Sequence, residues 1–178
     1  MRFFAGDVHW MHAHITVNGK EVTAADARDA TEPVGPVAGD CVNNYFAFYS
    51  GVSGTFDSRK DQVGSSRRYG MELVGSEGIF SLRGGGANEL AVYPHPCWAP
   101  AEASQKWEVM HIDDTPLFGG NQLAILNLID ALENDRKPLS SAEDAVAALE
   151  MIVGAYESQL TGKRVYFPMG NREHPLTR

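Results

Sequence analysis

The sequence predicts an α+β fold in which one large, mostly antiparallel, open-faced sheet carries two C-terminal helices on one face. Short segments rich in β-branched and aromatic residues, separated by glycine-containing turns, occupy the first two thirds of the chain. Apolar residues at helical spacing are concentrated in the last third. A run of strands followed by a run of helices is typical of the α+β class. In a protein with a parallel sheet, strands and helices would alternate along the chain.

The first strand is predicted at residues 8–17, and Asn18-Gly19 ends it with a turn. Strict alternation assigns its side chains to two faces: Val8, Trp10, His12, His14 and Thr16 against His9, Met11, Ala13, Ile15 and Val17. Before it, Met1 to Phe4 followed by Gly6 resembles the last turn of a helix. After it, residues 21–39 show no regular spacing of apolar residues and are predicted to be a loop.

The remaining strands are predicted at residues 41–49, 52–58, 67–74, 78–83, 90–93, 106–112 and 165–167. Ser50-Gly51 and residues 75–78 supply the tight turns of two hairpins. Residues 94–100 form an irregular loop that three prolines stiffen.

The two helices are predicted on either side of Pro138, which disfavours helical dihedral angles at the residue before it. The first begins at Gly119-Gly120-Asn121, and its apolar surface is broad enough to predict burial on more than one side. The second begins at Ser140, with Glu143 completing a capping box, and ends at Gly162. Its apolar stripe is Val146, Leu149, Val153, Tyr156 and Leu160.

Composition places the chain among ordinary soluble globular proteins, with 178 residues, 43% hydrophobic and 21% charged. This length suits a single domain over residues 1–178. The 23 acidic and 15 basic residues give a net charge of −8, which argues against nucleic acid or an anionic membrane as a partner. Cys41 and Cys97 are not spaced like the cysteines of metal sites or redox motifs, and no signal peptide is evident. A cytoplasmic location is therefore expected.

An ordered series of motifs then resembles the C-terminal domain of the NAD(P)-dependent sugar and polyol oxidoreductases known as the Gfo/Idh/MocA family. The series comprises Ile129-Asp130-Ala131-Leu132, Arg136-Lys137-Pro138-Leu139, Ala142-Glu143-Asp144-Ala145, Tyr156-Glu157-Ser158 and Thr161-Gly162-Lys163-Arg164-Val165. Residues 72–78 are similar to the family's E-[IL]-x-G-x-x-G hairpin, and residues 51–55 resemble the strand before it. The resemblance covers nearly the whole chain.

The sequence departs from complete members of that family in the parts that carry their chemistry. It contains no G-x-G-x-x-G turn, in which glycines let a phosphate approach a helix N-terminus. The Glu-Lys-Pro segment with the relatives' catalytic lysine is missing, as is the aspartate and histidine pair on the helix before the sheet. The resemblance thus implies NAD or NADP for a complete relative. For this chain it predicts no cofactor-binding residue and no catalytic residue.

Arg67 and Arg68 are the predicted substrate-binding residues. In relatives the strand entering this hairpin can lend a side chain to the substrate pocket, and a guanidinium can hold a carboxylate or phosphate through two hydrogen bonds. Since neighbouring strand residues point opposite ways, at most one of the two arginines can face such a pocket. The alternative is a solvated edge where they pair with Asp57 or Asp61.

Three other groups of residues are candidate sites. His12 and His14 could both reach one metal ion, but the sequence suggests no third ligand, so no metal site is predicted. A polar sheet face or subunit contact is the preferred interpretation of that pair. Cys97 near His95 is interpreted as part of a structural loop, and Asn121 as a helix cap.

Two functions of different kinds remain open. The chain is either the substrate-side and dimerisation domain of a sugar or polyol oxidoreductase, inactive on its own, or a stand-alone binding or structural module. In both cases the helices can cover only one of two bulky sheet faces. A homo-oligomer through the other face is therefore expected.

Overall fold

The computed structural model describes residues 1–31, 35–60, 69–84, 89–96, 104–111 and 119–178. The α+β class, the antiparallel sheets and the two C-terminal helices are confirmed. The helices are α1 (Arg2–Ala5), α2 (Gly119–Glu133) and α3 (Ala142–Thr161). The strands are β1 (Val8–Val17), β2 (Lys20–Glu21), β3 (Arg28–Asp29), β4 (Pro36–Val37), β5 (Cys41–Phe48), β6 (Ser53–Arg59), β7 (Tyr69–Val74), β8 (Ile79–Gly84), β9 (Glu89–Tyr93), β10 (Glu108–Met110) and β11 (Val165–Tyr166).

The chain forms two compact units, one of residues 1–61 and 135–178, the other of residues 62–134. In the first unit, β11, β1, β5 and β6 lie side by side in that order, and β2 pairs with β1 to make a five-stranded sheet. Every pairing in it is antiparallel. The sequence predicted one large sheet. Within the described residues, the strands instead belong to this sheet, a four-stranded sheet in the second unit and the β3–β4 pair.

A register shift between Val8 and Trp10 corrects the predicted faces of β1. Strict alternation placed Val8 with Trp10, but Val8 is buried in the core together with Met11, Ala13 and Ile15. The irregularity adds one residue to the strand at this point, so the side chains before it change face. From Trp10 onward the predicted alternation is correct.

Helix α3 covers one face of the five-stranded sheet, and the two build the core of the first unit. The helix approaches the sheet closely at Gly154, where an added Cβ would lie 2.9 Å from the Phe167 ring and 3.1 Å from the Met11 sulfur. Ala155, Tyr156 and Ser158 are also buried on this face. The predicted stripe is only partly right. Val146 and Leu149 are exposed, because the face that α3 turns toward the sheet carries Gly154 and Ala155 instead.

The ends of α3 follow helix-capping chemistry. Ser141, rather than the predicted Ser140, is the N-cap; its hydroxyl accepts a hydrogen bond from the Asp144 amide, and the Asp144 carboxylate accepts one from the Ser141 amide. Asp144 therefore takes the role expected of Glu143. Gly162 ends the helix as predicted, with φ 65° in the left-handed region.

The first unit also contains structure that the sequence did not predict. In the described part of residues 21–39, the expected loop includes the β3–β4 pair and a 3₁₀ turn at Ala24–Asp26. At Gly39, φ is 92° and an added Cβ would meet the Ile15 side chain, so this position requires glycine.

The second unit contains the sheet β10-β9-β8-β7, again antiparallel throughout. The hairpin from β7 to β8 lies where it was predicted. Helix α2 also lies at its predicted position, but the predicted burial on several sides is wrong. Ala131 is its buried residue, whereas Ile125 and Leu132 are exposed. An apolar surface does not by itself bury a helix, and the described residues do not cover this one.

Candidate functional site

Among the predicted site residues, Arg67 and Arg68 lie outside the described residues, as do Cys97 and Asp61. His12 and His14 are described, and both are exposed on β1. The site that can be built from the described residues is therefore the sheet surface around these two histidines. We call the face of the five-stranded sheet opposite α3 the open face.

The strand register sets the neighbours on the open face. His12 lies opposite Tyr45 of β5, which in turn lies opposite Thr55 of β6. One row further, His14 lies opposite Asn43, and Asn43 lies opposite Asp57. Side chains directly opposite each other in an antiparallel pair lie about 5 Å apart at Cβ, so these two rows form one continuous polar surface.

The aromatic part of the open face lies next to His12, where Trp10 and Tyr45 meet diagonally across neighbouring rows of β1 and β5. The Trp10 ring is 5.4 Å from the Tyr45 ring, and the Arg164 guanidinium lies 4.2 Å over Trp10, a cation–π contact. Tyr166 of β11 lies opposite Trp10. Tyr45 and Tyr166 remain 42% and 56% exposed, so large aromatic surfaces meet solvent here.

The edge of β1 is completed by side chains of α3 as well as by strands. Strand β11 pairs with Trp10 and Met11, and β2 pairs with Thr16 and Val17. Between them, the Ala13 amide donates to Ser158 Oγ at 3.0 Å, and the Ile15 amide donates to Gln159 Oε1 at 2.6 Å. Two polar residues near the end of an apolar helix thus replace the missing stretch of a neighbouring strand.

Ser158 also determines which ring nitrogen of neutral His12 carries the hydrogen. Its hydroxyl has one proton, which it donates to the Lys163 carbonyl at 2.7 Å, because a carbonyl oxygen can only accept. Its oxygen accepts from the Ala13 amide and lies 2.8 Å from His12 Nδ1. His12 Nδ1 must then be the donor in that contact. In neutral His12, Nε2 is consequently an acceptor with a free lone pair.

A groove of about 520 Å³ runs along this edge of the open face. It is lined by His12, His14 and Glu21, and by Asn43, Thr55 and Asp57 of the neighbouring strands β5 and β6. His14 Nε2 lies 3.8 Å from the Glu21 carboxylate, and both groups are more than half exposed. Within the described residues that line the groove, Glu21 and Asp57 are the charged side chains.

A smaller cavity of about 210 Å³ lies in the same unit, between α1 and α3. Arg2 lines it and donates to Asp7 and Asp144, and Glu150 accepts from Arg172 Nε at 2.8 Å. Hydrogen bonds from Ser141, and then from Arg2, lower the pKa of Asp144 to about 2. Since its charged groups are already paired with one another, this cavity has the character of a structural ion-pair cluster.

Sequence reasoning did not identify Ser158, Gln159 or Glu21 as part of a site. The available signal was a serine on the buried side of α3, four residues after Gly154, because a polar residue on an apolar face usually has a specific partner. Within the described residues, no group of three or more His, Cys, Asp and Glu side chains is arranged to hold a metal ion. No helix of the described part is long and apolar enough to cross a membrane.

Comparison with solved structures identifies similar folds at low sequence identity. An NAD-binding oxidoreductase from Klebsiella pneumoniae matches with a TM-score of 0.69 and 16% identity, over 93% of this chain and 46% of that one. The aldose–aldose oxidoreductase from Caulobacter crescentus, complexed with glycerol, matches with a TM-score of 0.62 and 14% identity, over 93% and 43%. The WlbA dehydrogenase from Bordetella pertussis, in complex with NADH and UDP-GlcNAcA, matches with a TM-score of 0.60 and 17% identity, over 94% and 42%.

This chain therefore spans less than half the length of these solved relatives. A comparison with curated proteins found no match. Residues 1–167 match the family described as "Oxidoreductase family, C-terminal alpha/beta domain". Because that match covers most of the 178 residues, the chain belongs to the C-terminal domain family of the Gfo/Idh/MocA oxidoreductases.

Proposed function

We propose that this chain is the substrate-side and dimerisation domain of an NAD(P)-dependent sugar or polyol oxidoreductase, and that it does not catalyse the reaction on its own. Family membership carries this proposal, together with the lack of a G-x-G-x-x-G turn in the sequence. In the proposal, the dinucleotide and the catalytic lysine come from a nucleotide-binding domain in the same polypeptide or in a partner. The cytoplasmic location expected from the sequence belongs to the same proposal.

The substrate class is supported by what similar structures contain. The Caulobacter enzyme is named for aldoses and was solved with glycerol, and the Bordetella enzyme was solved with a sugar nucleotide.

We propose that Arg67 or Arg68 contacts the substrate of the complete enzyme. Replacing each arginine by lysine in that enzyme tests this, because lysine keeps the charge and loses the two-pronged donor geometry. A rise in KM for only one of the two variants is expected, and unchanged kinetics for both would contradict the assignment.

Dinucleotide binding by the isolated chain is the first test of the proposal. Calorimetric titration with NAD and NADP should give no saturable heat at micromolar concentrations, since the phosphate-binding turn is absent from the sequence. Saturable binding would contradict the assignment of nucleotide binding to another domain. The coding DNA upstream of Met1 provides a further check, because an in-frame G-x-G-x-x-G followed by Glu-Lys-Pro would support the oxidoreductase over a stand-alone module.

Dimerisation is proposed to use the open face. Trp10, Tyr45 and Tyr166 form exposed or half-buried aromatic surface on it, whereas α3 covers the opposite face. A two-fold interface pairs the same surface of each copy, so one aromatic patch serves both sides. Tyr45 lies near the middle of this surface, between Trp10 and Thr55.

Sedimentation equilibrium of the wild-type chain and two variants tests this interface. The chain mass is 19.4 kDa, and the wild type should sediment at two or four times that mass at micromolar concentration, as a homodimer or a pair of dimers. Tyr45→Lys should shift the mass downward by breaking the sheet-to-sheet contact, because it buries an unpaired charge there. Ile152→Lys is the matched control: Ile152 is 58% exposed on α3, away from the open face, and its variant should keep the mass of the wild type. A monomeric wild type would refute the dimer, and a Tyr45→Lys variant with the wild-type mass would refute the location.

A further inference from the structure

Residues 168–178 follow β11 and pack onto the first unit, and we call this segment the strap. It contains a 3₁₀ turn at Pro175–Thr177, which packs against α3, β4 and the turn at Ala24–Asp26. Pro175 and Leu176 are buried, and Leu176 belongs to the apolar core of the first unit. The strap therefore fastens the segment between β2 and β5 to helix α3.

His174 is the N-cap of the turn in the strap. Its Nδ1 accepts a hydrogen bond from the Leu176 amide at 3.3 Å, and its carbonyl accepts one from the Thr177 amide at 3.0 Å. Such a side-chain acceptor satisfies an amide that has no partner within the turn. Because Nδ1 accepts, neutral His174 carries its hydrogen on Nε2. Protonation puts a second hydrogen on Nδ1, which then can no longer accept from Leu176.

The surroundings of the His174 ring disfavour its charged form. The ring is half-buried, its centroid lies 5.5 Å from that of the Tyr156 ring, and its Cδ2 is 3.7 Å from where a Cβ on Gly35 would lie. Burial, followed by the Arg178 guanidinium, lowers the pKa of His174 below its ordinary value.

The charged groups on the elements packed against His174 leave Arg178 as the charge that acts on the ring. On α3, Glu157 pairs with Arg178 at 3.1 Å. In the turn at Ala24–Asp26, the Asp26 carboxylate is held by the capping box of its own turn. Glu173 of the strap is exposed, and β4 has no charged residue. Protonated His174 would thus face a group of its own sign.

We propose that the strap is a pH-sensitive closure, docked on α3 while His174 is neutral and released when the imidazole is protonated. Since the pKa of His174 is lowered in the docked state, docking is fully stable above the ordinary pKa of about 6.5 and weakens as the pH falls below it. The proposal is independent of the proposed function, because the strap lies beyond residues 1–167, which match the family.

Hydrogen–deuterium exchange followed by mass spectrometry at about pH 7.5 and about pH 5 tests the closure, with each rate divided by the intrinsic rate at that pH. The protection of a peptide covering residues 168–178 should fall by about threefold or more at the lower pH. A peptide from the middle of α3 should keep its protection, because the proposed opening is local. The midpoint of the change should coincide with the titration of the His174 imidazole followed by NMR.

Three variants separate the closure from a purely structural role of His174. His174→Asn replaces the ring by a strong N-cap that does not titrate, so the strap should stay protected at both pH values. His174→Ala removes the cap and should lower the protection already at the higher pH. His14→Asn is the matched control, because His14 lies on β1 and its variant should keep the pH response of the wild type.

Three results would each overturn the proposal. One is equal protection of the strap at both pH values in the wild type. The second is a pH response in His174→Asn as large as that of the wild type. The third is an equal loss of protection in α3, since that would indicate unfolding of the whole unit rather than release of the strap.

Discussion

The contact between α3 and β1 at Gly154 gives the sharpest test of the packing in the first unit. Replacing Gly154 by alanine places a methyl group 2.9 Å from Phe167 Cζ and 3.1 Å from Met11 Sδ. Met11 is fully buried and Phe167 is 9% exposed, so the added methyl group meets buried side chains, at least one of which must shift. The substitution therefore forces extra volume into the core between α3 and β1.

Two opposing terms set the size of the effect. Alanine is favoured over glycine inside a helix by about 1 kcal/mol, which stabilises the variant. Overpacking a filled core costs about 1–3 kcal/mol, which destabilises it. The expected net result is a loss of about 1 kcal/mol in the free energy of unfolding, or a fall of about 2–4 °C in Tm for a chain of this size.

Thermal and urea unfolding followed by circular dichroism measure the loss. Ala148→Gly in the same helix is the control: Ala148 is exposed, so its substitution reports the helix-propensity term alone, with an expected loss of about 1 kcal/mol. If Gly154→Ala instead stabilises the protein by the amount that Ala148→Gly destabilises it, no steric cost exists and the close approach of α3 to β1 is refuted.

Two more predictions concern single polar residues. Hydrogen bonds from Ser141, followed by Arg2, lower the pKa of Asp144 to about 2 from an ordinary 3.8, so its contribution to stability is present above pH 4 and is lost as the pH falls toward 2. Asp144→Asn should therefore flatten the dependence of Tm on pH between about 4 and 2, and an unchanged slope in that window would contradict the pairing. Asn44 Oδ1 is buried and accepts no hydrogen bond among the described residues, so Asn44→Val should change the free energy of unfolding by less than about 1 kcal/mol in either direction. A free energy of unfolding from urea denaturation that falls by more than about 1 kcal/mol would point to a partner for the side chain.

The sequence was sufficient for the parts of the fold that depend on local pattern. Alternation located β1 at Val8–Val17, and helical spacing with Gly162 located α3, because these signals act over neighbouring residues. The shift at Val8 was not predictable in this way, since a bulge depends on how β1 pairs with β5. The buried face of α3 was also misjudged, because Gly154 and Ala155 determine the approach to the sheet and hydrophobicity alone gives small residues little weight.

The same limit applies to the candidate site. His12 and His14 could be picked out because they alternate on one strand face. Their environment could not, because Ser158 lies 146 residues from His12 in the chain, and no local pattern records that distance. Arg67 and Arg68 stay predictions, since both lie outside the described residues.

The hydrogen bonds from Ser158 and Gln159 have a consequence for solubility. A strand edge with unpaired amide groups is a template on which another chain can add a strand, and such additions lead to open-ended aggregates. At Ala13 and Ile15 the amides of β1 are already satisfied by α3 side chains. A helix side chain satisfies the amide but offers no continuing ladder, so a foreign strand finds no register to extend at this part of the edge.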